Sequence, residues 1–281
     1  MISRKSFIKK TGTALAAACV LPLSGFFPAE IRTGLALYTL RDAMFKDPDG
    51  TLANVARIGY NWVEAAGYAD GRFCNLKPFD FRNLVEKHGL KLVSSHSMVN
   101  QANIDMVVAD TAEAGISYLV MPSLPSLWRK SLEGYKEAAR FFNIAGEKCR
   151  NAGLRFAFHN HTSEFKKFRG QIPYDLLLSA TDPSLVTFEP DICWMTAANQ
   201  RAADYFNKYP GRFELFHLKD MTVRKKDATL GEGIIDFKPI LALSEKAGMK
   251  YFFVEQDNCI THNPLESIKI SRDYLLNCFK D

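Results

Sequence analysis

The sequence contains no CxxC pair, no run of basic residues longer than Arg224-Lys225-Lys226, no Pro/Gly/Ser-rich linker, and no long apolar stretch outside its amino-terminal leader. Each absence excludes something. Six cysteines scattered through 281 residues, without a close pair, argue for buried or unpaired thiols over a disulfide framework or a zinc–thiolate site. Nucleic-acid binding rests on a basic face that neutralises several phosphates, and one triplet in a loop is not such a face. The longest apolar run, Thr13 to Leu23, falls short of the roughly 20 residues that span a bilayer, so the mature chain is expected to have no stable membrane span. With no linker, a single domain is expected over the 252 residues after the leader, a length near the roughly 250 of an α/β barrel.

Residues 1–29 read as an export signal: Arg4, Lys5, Lys9 and Lys10, then the apolar run, then small residues and Pro28-Ala29. The domain to be folded is therefore 30–281. Ser3-Arg4-Lys5-Ser6-Phe7-Ile8-Lys9 resembles a twin-arginine signal with Lys5 in the second arginine's place, which implies export of a folded, metal-loaded protein to the periplasm or beyond. Cys19 after Ala16-Ala17-Ala18 loosely resembles a lipoprotein cleavage site, with Ala16 where leucine is usual. Without the leader's four basic residues the net charge of +5 falls to +1.

What is present is an alternation. Short β-rich apolar runs occupy 32–40, 61–66, 91–96, 118–122, 155–161, 186–192, 214–219 and 251–255, and amphipathic stretches such as 132–152 and 237–247 separate them. Several stretches end alike before the next strand, at His88-Gly89, Ala114-Gly115, Ala152-Gly153 and Ala247-Gly248. A doubly wound open sheet would carry a Gly-rich phosphate loop after its first strand, where this chain has Leu37-Tyr38-Thr39-Leu40. Eight βα units favour an α/β fold closed as a single (β/α)8 TIM barrel.

In such a barrel the active site lies at the carboxyl ends of the strands, so polar residues there are the candidates. They are Tyr38, Glu64, His96, His159 with His161, Glu189 with Asp191, His217 with Lys219 and Asp220, and Glu255 with Asp257. Four of the six histidines pass the filter, mixed with carboxylates, and that donor set suits one divalent ion such as Mn, Zn, Fe or Co. Glu64 and His96 are placed to orient sugar hydroxyls. Tyr38, Phe158 and Trp194 are placed to offer apolar walls, and Lys219 to meet either a substrate oxygen or Asp220. Glu232, in a Gly-flanked loop, has no role that its surroundings in sequence decide.

Phe158-His159-Asn160-His161, Phe188-Glu189-Pro190-Asp191-Ile192-Cys193-Trp194, Phe216-His217-Leu218-Lys219-Asp220, Gly231 to Phe237 and Val254-Glu255-Gln256-Asp257, in this order, resemble the sugar phosphate isomerase/epimerase superfamily of xylose-isomerase-like barrels, most of all its inosose-dehydratase-like branch. The resemblance implies metal ligands at Asp191, His217 and Glu255. Where many members have glutamate before Asn-His this chain has His159, taken here as the fourth ligand, with His161 and Glu164 as replacements. It also implies a small-molecule sugar substrate and proton abstraction beside a carbonyl, with Glu255 or His161 moving the proton. Epimerases of the superfamily use two metal-bound carboxylates on opposite substrate faces. Histidine at 159 departs from that symmetric relay, so elimination or hydration of a keto-sugar or keto-glycoside stands beside isomerisation. The competing expectations are a sugar-binding barrel that keeps its metal without turnover and a DNA-repair endonuclease, which the near-neutral charge and the leader disfavour.

Overall fold

The computed structural model describes residues 32–278. The export signal expected over 1–29 lies outside them. Eight parallel strands form the barrel wall: β1 Gly34–Ala36, β2 Trp62–Ala65, β3 Lys91–His96, β4 Tyr118–Met121, β5 Arg155–His159, β6 Val186–Glu189, β7 Leu215–Leu218 and β8 Tyr251–Val254. Their spatial order, β6-β5-β4-β3-β2-β1-β8-β7, is that of a barrel nearly closed on itself. Helices, among them Pro78–Lys87, Leu132–Asn151 and Pro264–Cys278, return the chain between strands.

The repeated Ala-Gly and His-Gly turns do one job. Gly89, Gly115, Gly153 and Gly248 all have φ between 69° and 88°, the left-handed conformation that ends a helix without a Cβ penalty. The next residue's N–H reaches back into the helix, as in Leu154 N to Cys149 O at 2.8 Å, and the chain enters the following strand.

The closing seam between β6 and β7 is held by two isolated bridges, Phe188 with Phe213 and Asp191 with His217, instead of a continuous ladder. The Thr187 hydroxyl spans the gap, accepting from Glu214 N at 3.1 Å and donating to Arg212 O at 3.0 Å. The barrel interior away from the site is filled by Trp62, Val93, Tyr118, Val120, Ala157, Leu215 and Phe253. Its plug rests on one close approach: a Cβ at Gly34 would lie 2.0 Å from Trp62 Nε1.

Three strands stop two or more residues short of their expected ends. β1 leaves the ladder after Ala36, and Leu37–Leu40 form a 3-10 turn over the mouth. β5 stops at His159, with Thr162–Phe165 forming a second such turn, and β6 stops at Glu189 before the helix Ile192–Ala197.

Candidate active site

Asp191, His217 and Glu255 converge, their donor atoms within 4.8 Å of one another, and all three are buried. Asp191 is fixed as the N-cap of Ile192–Ala197, its Oδ1 accepting from Trp194 N at 2.8 Å. That leaves Oδ2 buried without a hydrogen-bond partner. His217 lies in β7, its Nδ1 2.9 Å from Glu255 Oε2 and its Nε2 2.7 Å from Glu64 Oε1. His159, the fourth expected ligand, faces this trio with Nε2 3.7 Å from Asp191 Oδ2. It also belongs to a second donor group with His96, Glu189 and His217. A buried carboxylate oxygen that makes no hydrogen bond, its nearest cation the Lys219 ammonium at 3.4 Å, amid imidazole and carboxylate donors fits a first-row divalent ion.

The electrostatics follow from burial and crowding. Burial pushes the Asp191 carboxyl up to about 6, with Lys219 and His217 pulling the other way. Burial also opposes charge on Glu255, but Lys219 and His217 outweigh it and hold that carboxyl well below the usual range. His217 is kept protonated well above the ordinary imidazole range against its burial, by Glu189, Glu255 and Glu64. His159 is driven well below that range by burial and by the neighbouring His217 and His96. Burial and the Lys219 ammonium take His161 down to about 4, so it is neutral at ordinary pH. The protons on His217 and Lys219 are the counter-charge of the cluster.

A cavity of about 450 Å³ opens onto this cluster, lined on that side by His159, His161, Lys219, Glu255 and Asp257. His96, Tyr38, Tyr68 and Met98 line the rest of it. Of the residues expected to touch a sugar, Tyr38, His96 and Lys219 stand at the cavity. Glu64 and Trp194 do not: Glu64 is 1% exposed and held by Ser94 Oγ at 2.8 Å and by His217, while Trp194 lies beneath Lys219, whose Nζ is 5.1 Å from its ring, and beside His161. Phe158 is core, packed on Phe142 and Phe188.

Lys219 does not pair with Asp220. Its ammonium sits 2.5 Å from Asp257, 3.1 Å from Glu255 and 3.4 Å from Asp191. Asp220 instead accepts from Met221, Gly231, Gly233 and Ile235 N, folding the Gly-rich loop around one carboxylate. Glu164 turns away to Ser163 and His161 N, which removes it as a replacement ligand. Glu232 pairs with His262 at 3.0 Å, away from the cavity. Glu189 and Asp257 passed the strand-end filter without a role. The signal that marks them is parity, because Glu189 stands two residues from Asp191 and Asp257 two from Glu255, and an extended chain turns i and i+2 to the same side.

Residues 52–278 match the family model described as xylose isomerase-like TIM barrel. The chain belongs to that family. Within it, this xylose isomerase-like barrel is 28% identical over 164 residues to inosose dehydratase from Clostridium beijerinckii, an alignment of 51% of this chain and 54% of that protein. The chain thus spans about half the length of the curated relatives it matches. A crystal structure of a sugar phosphate isomerase/epimerase from Parabacteroides distasonis is similar over 89% of this chain and 95% of that one, with 26% identity and a TM-score of 0.79. A crystal structure of the IOLI protein with a bound zinc atom is similar in fold, with 13% identity and a TM-score of 0.70 over 88% of this chain and 98% of that one.

Proposed function

We propose that this barrel is a divalent-metal-dependent enzyme acting on a keto-sugar, keto-glycoside or cyclic polyol ketone, by proton abstraction beside the carbonyl with loss or addition of water. The observation that carries the proposal is the convergence of Asp191, His217 and Glu255, with the orphaned Asp191 Oδ2, at the edge of the cavity. An ion bound there would supply Lewis acidity toward a substrate oxygen. Glu255 reaches the cavity as a carboxylate held ionised, which suits a base. Among the described residues the only other carboxylate lining the cavity is Asp257, two residues from Glu255, so none of them offers a carboxylate on the opposite face of the cavity for an epimerase relay. That geometry supports carbon–oxygen chemistry over epimerisation, as does similarity to relatives named inosose dehydratase.

The test is incubation of the metal-loaded protein with a panel of inososes, keto-sugars and keto-glycosides in D₂O, read by NMR and mass spectrometry. The expected result is deuterium at the carbon beside the carbonyl and a product differing by one water. A sugar that binds with the ion present, yet neither exchanges nor reacts, leaves a non-catalytic sugar-binding barrel.

Export belongs to the proposal and rests on the leader alone. Deleting residues 1–29 is expected to strand the protein in the cytoplasm on cell fractionation, and unchanged export would overturn that assignment.

A further inference from the structure

The residues proposed to hold the ion leave two buried carboxylates unused. Glu189 ends β6 and Glu64 lies in β2; they are 0% and 1% exposed, and neither lines the cavity. A carboxylate is not taken so far from water without partners. Their partners are imidazoles. Glu189 Oε2 lies 2.7 Å from His96 Nε2, 3.3 Å from His159 Nδ1 and 3.4 Å from His217 Nε2. Glu64 Oε1 lies 2.7 Å from His217 Nε2 and 3.1 Å from His96 Nε2.

The strand register produces this layer, since His159 and Glu189 are direct partners across β5 and β6. His159 and His217 therefore each turn one nitrogen inward to a carboxylate and the other outward to the presumptive ligand set. The outward contacts are His159 Nε2 to Asp191 and His217 Nδ1 to Glu255. For His217 the inward hydrogen bond, to Glu64, is already made. For His159 it is approached but not closed: His159 Nδ1 and Glu189 Oε1 are both buried without a hydrogen-bond partner.

We propose that Glu189 is a positioning residue of the metal centre, accepting the Nδ1 proton of His159 when Nε2 binds the ion and so placing a negative charge directly behind a neutral ligand. A neutral imidazole carries one proton, and an acceptor at Nδ1 selects the tautomer whose Nε2 is free to donate. The carboxylate also raises the basicity of that nitrogen, so the Glu189–His159 pair acts toward the ion partly as a carboxylate would. Two imidazoles and two carboxylates just neutralise a divalent ion; Glu189 adds the charge that tightens its hold. His96 Nε2, hydrogen-bonded to Glu189 at 2.7 Å and 3.1 Å from Glu64, stands between the two inner carboxylates.

This role rests on the proposed ligand set, and the experiment separates the two. Zinc affinity is measured by chelator competition, with the visible spectrum of the cobalt-loaded protein as a second readout and the thermal midpoint of the metal-free protein as a check on folding. Glu189→Gln is expected to keep one ion per chain with an affinity about 10- to 100-fold weaker, the usual scale for removing a carboxylate behind a metal-bound histidine, and a shifted cobalt spectrum. Adding His159→Glu to that variant moves the carboxylate into the ligand set and is expected to restore most of the affinity. Unchanged affinity in Glu189→Gln overturns the role, as does loss of the ion as complete as in His217→Ala, which would make Glu189 a ligand itself. Failure of His159→Glu to restore binding in a folded double variant also overturns it. Should Glu189→Gln not fold, Glu189→Asp draws the carboxylate back from His159 while keeping its charge, and an undiminished affinity there counts against the role equally. If His217→Ala and Asp191→Ala retain the ion, the ligand set itself is wrong, whatever Glu189→Gln does.

Discussion

At the scale of single residues, the site separates charge from shape, and isosteric substitutions test the two apart. Glu255 is a carboxylate kept ionised by Lys219 and His217 at the cavity wall. Glu255→Gln keeps its size and one oxygen donor but not its basicity. Turnover is expected to fall roughly 10²-fold or more, the usual scale for a general base, with substrate affinity changing much less. His161→Ala is expected to cost less, because His161 is a neutral imidazole beside the site. The reverse ranking in single-turnover rates, with the ion still bound, would make His161 the base. Asp191 has two duties on two oxygens, a helix cap through Oδ1 and the orphaned Oδ2. Asp191→Asn can keep the cap while removing the charge, so the protein is expected to stay folded and lose the ion. Elemental analysis of folded Asp191→Asn with a full complement of metal would refute the assignment.

At the scale of elements, much was legible because strand and helix periods and the Gly turns are local. The eight βα units and their order read directly from alternation, and parity along each strand pointed inward the residues that meet at the mouth. Partnership was not legible. Glu64 reads as a sugar-facing residue at the end of β2, yet it spends both oxygens on Ser94 and His217, from two other strands. Lys219 and Asp220 are adjacent in sequence, and the strand's alternation sends them to opposite partners, Asp257 and the loop backbone. Early strand ends were hidden for a related reason: Leu37–Leu40 are as apolar as a strand, and what turns them is the barrel mouth, where Thr39 Oγ1 accepts from Gln256 N at 2.9 Å. Close approaches are equally invisible in a linear chain. Gly34 has β-region backbone and no turn to make, yet a Cβ there would meet Trp62 Nε1 at 2.0 Å and Phe252 O at 2.4 Å. Gly34→Ala is therefore expected to destabilise the barrel by about 1–3 kcal/mol, the range for overpacking a core, in a denaturant titration; an undiminished midpoint would mean that the Trp62 plug moves freely.

At the scale of the whole molecule, the proposed metal centre lies across the least bonded part of the wall. Its proposed ligands come from β5 to β8, and the β6–β7 seam between them has only isolated bridges, one of them joining Asp191 to His217. An ion bound there would tie the seam and stabilise the folded barrel by mass action, about 2.7 kcal/mol when its concentration is 100 times its dissociation constant. The size of that effect should depend on pH, with a definite sign. In the metal-free protein His217 is protonated well above the ordinary imidazole range, and the Asp191 carboxyl is raised to about 6. A group whose pKa is raised on folding stabilises the fold while its proton is on, and that contribution is lost as pH rises through the folded value. The Asp191 contribution to the metal-free barrel should therefore be lost as pH rises from the ordinary carboxylate value of 3.8 to about 6, and the His217 contribution as pH rises above the ordinary imidazole value of 6.5 toward the raised folded one. The ion needs both groups deprotonated, and it replaces their protons as the counter-charge. Saturating zinc is accordingly expected to raise the thermal midpoint more at about pH 8 than at about pH 6, and a chelator to do the most damage at the higher pH. A metal-induced shift that is larger at the lower pH, measured by calorimetry on the same preparation, would place the ion away from His217 and Asp191.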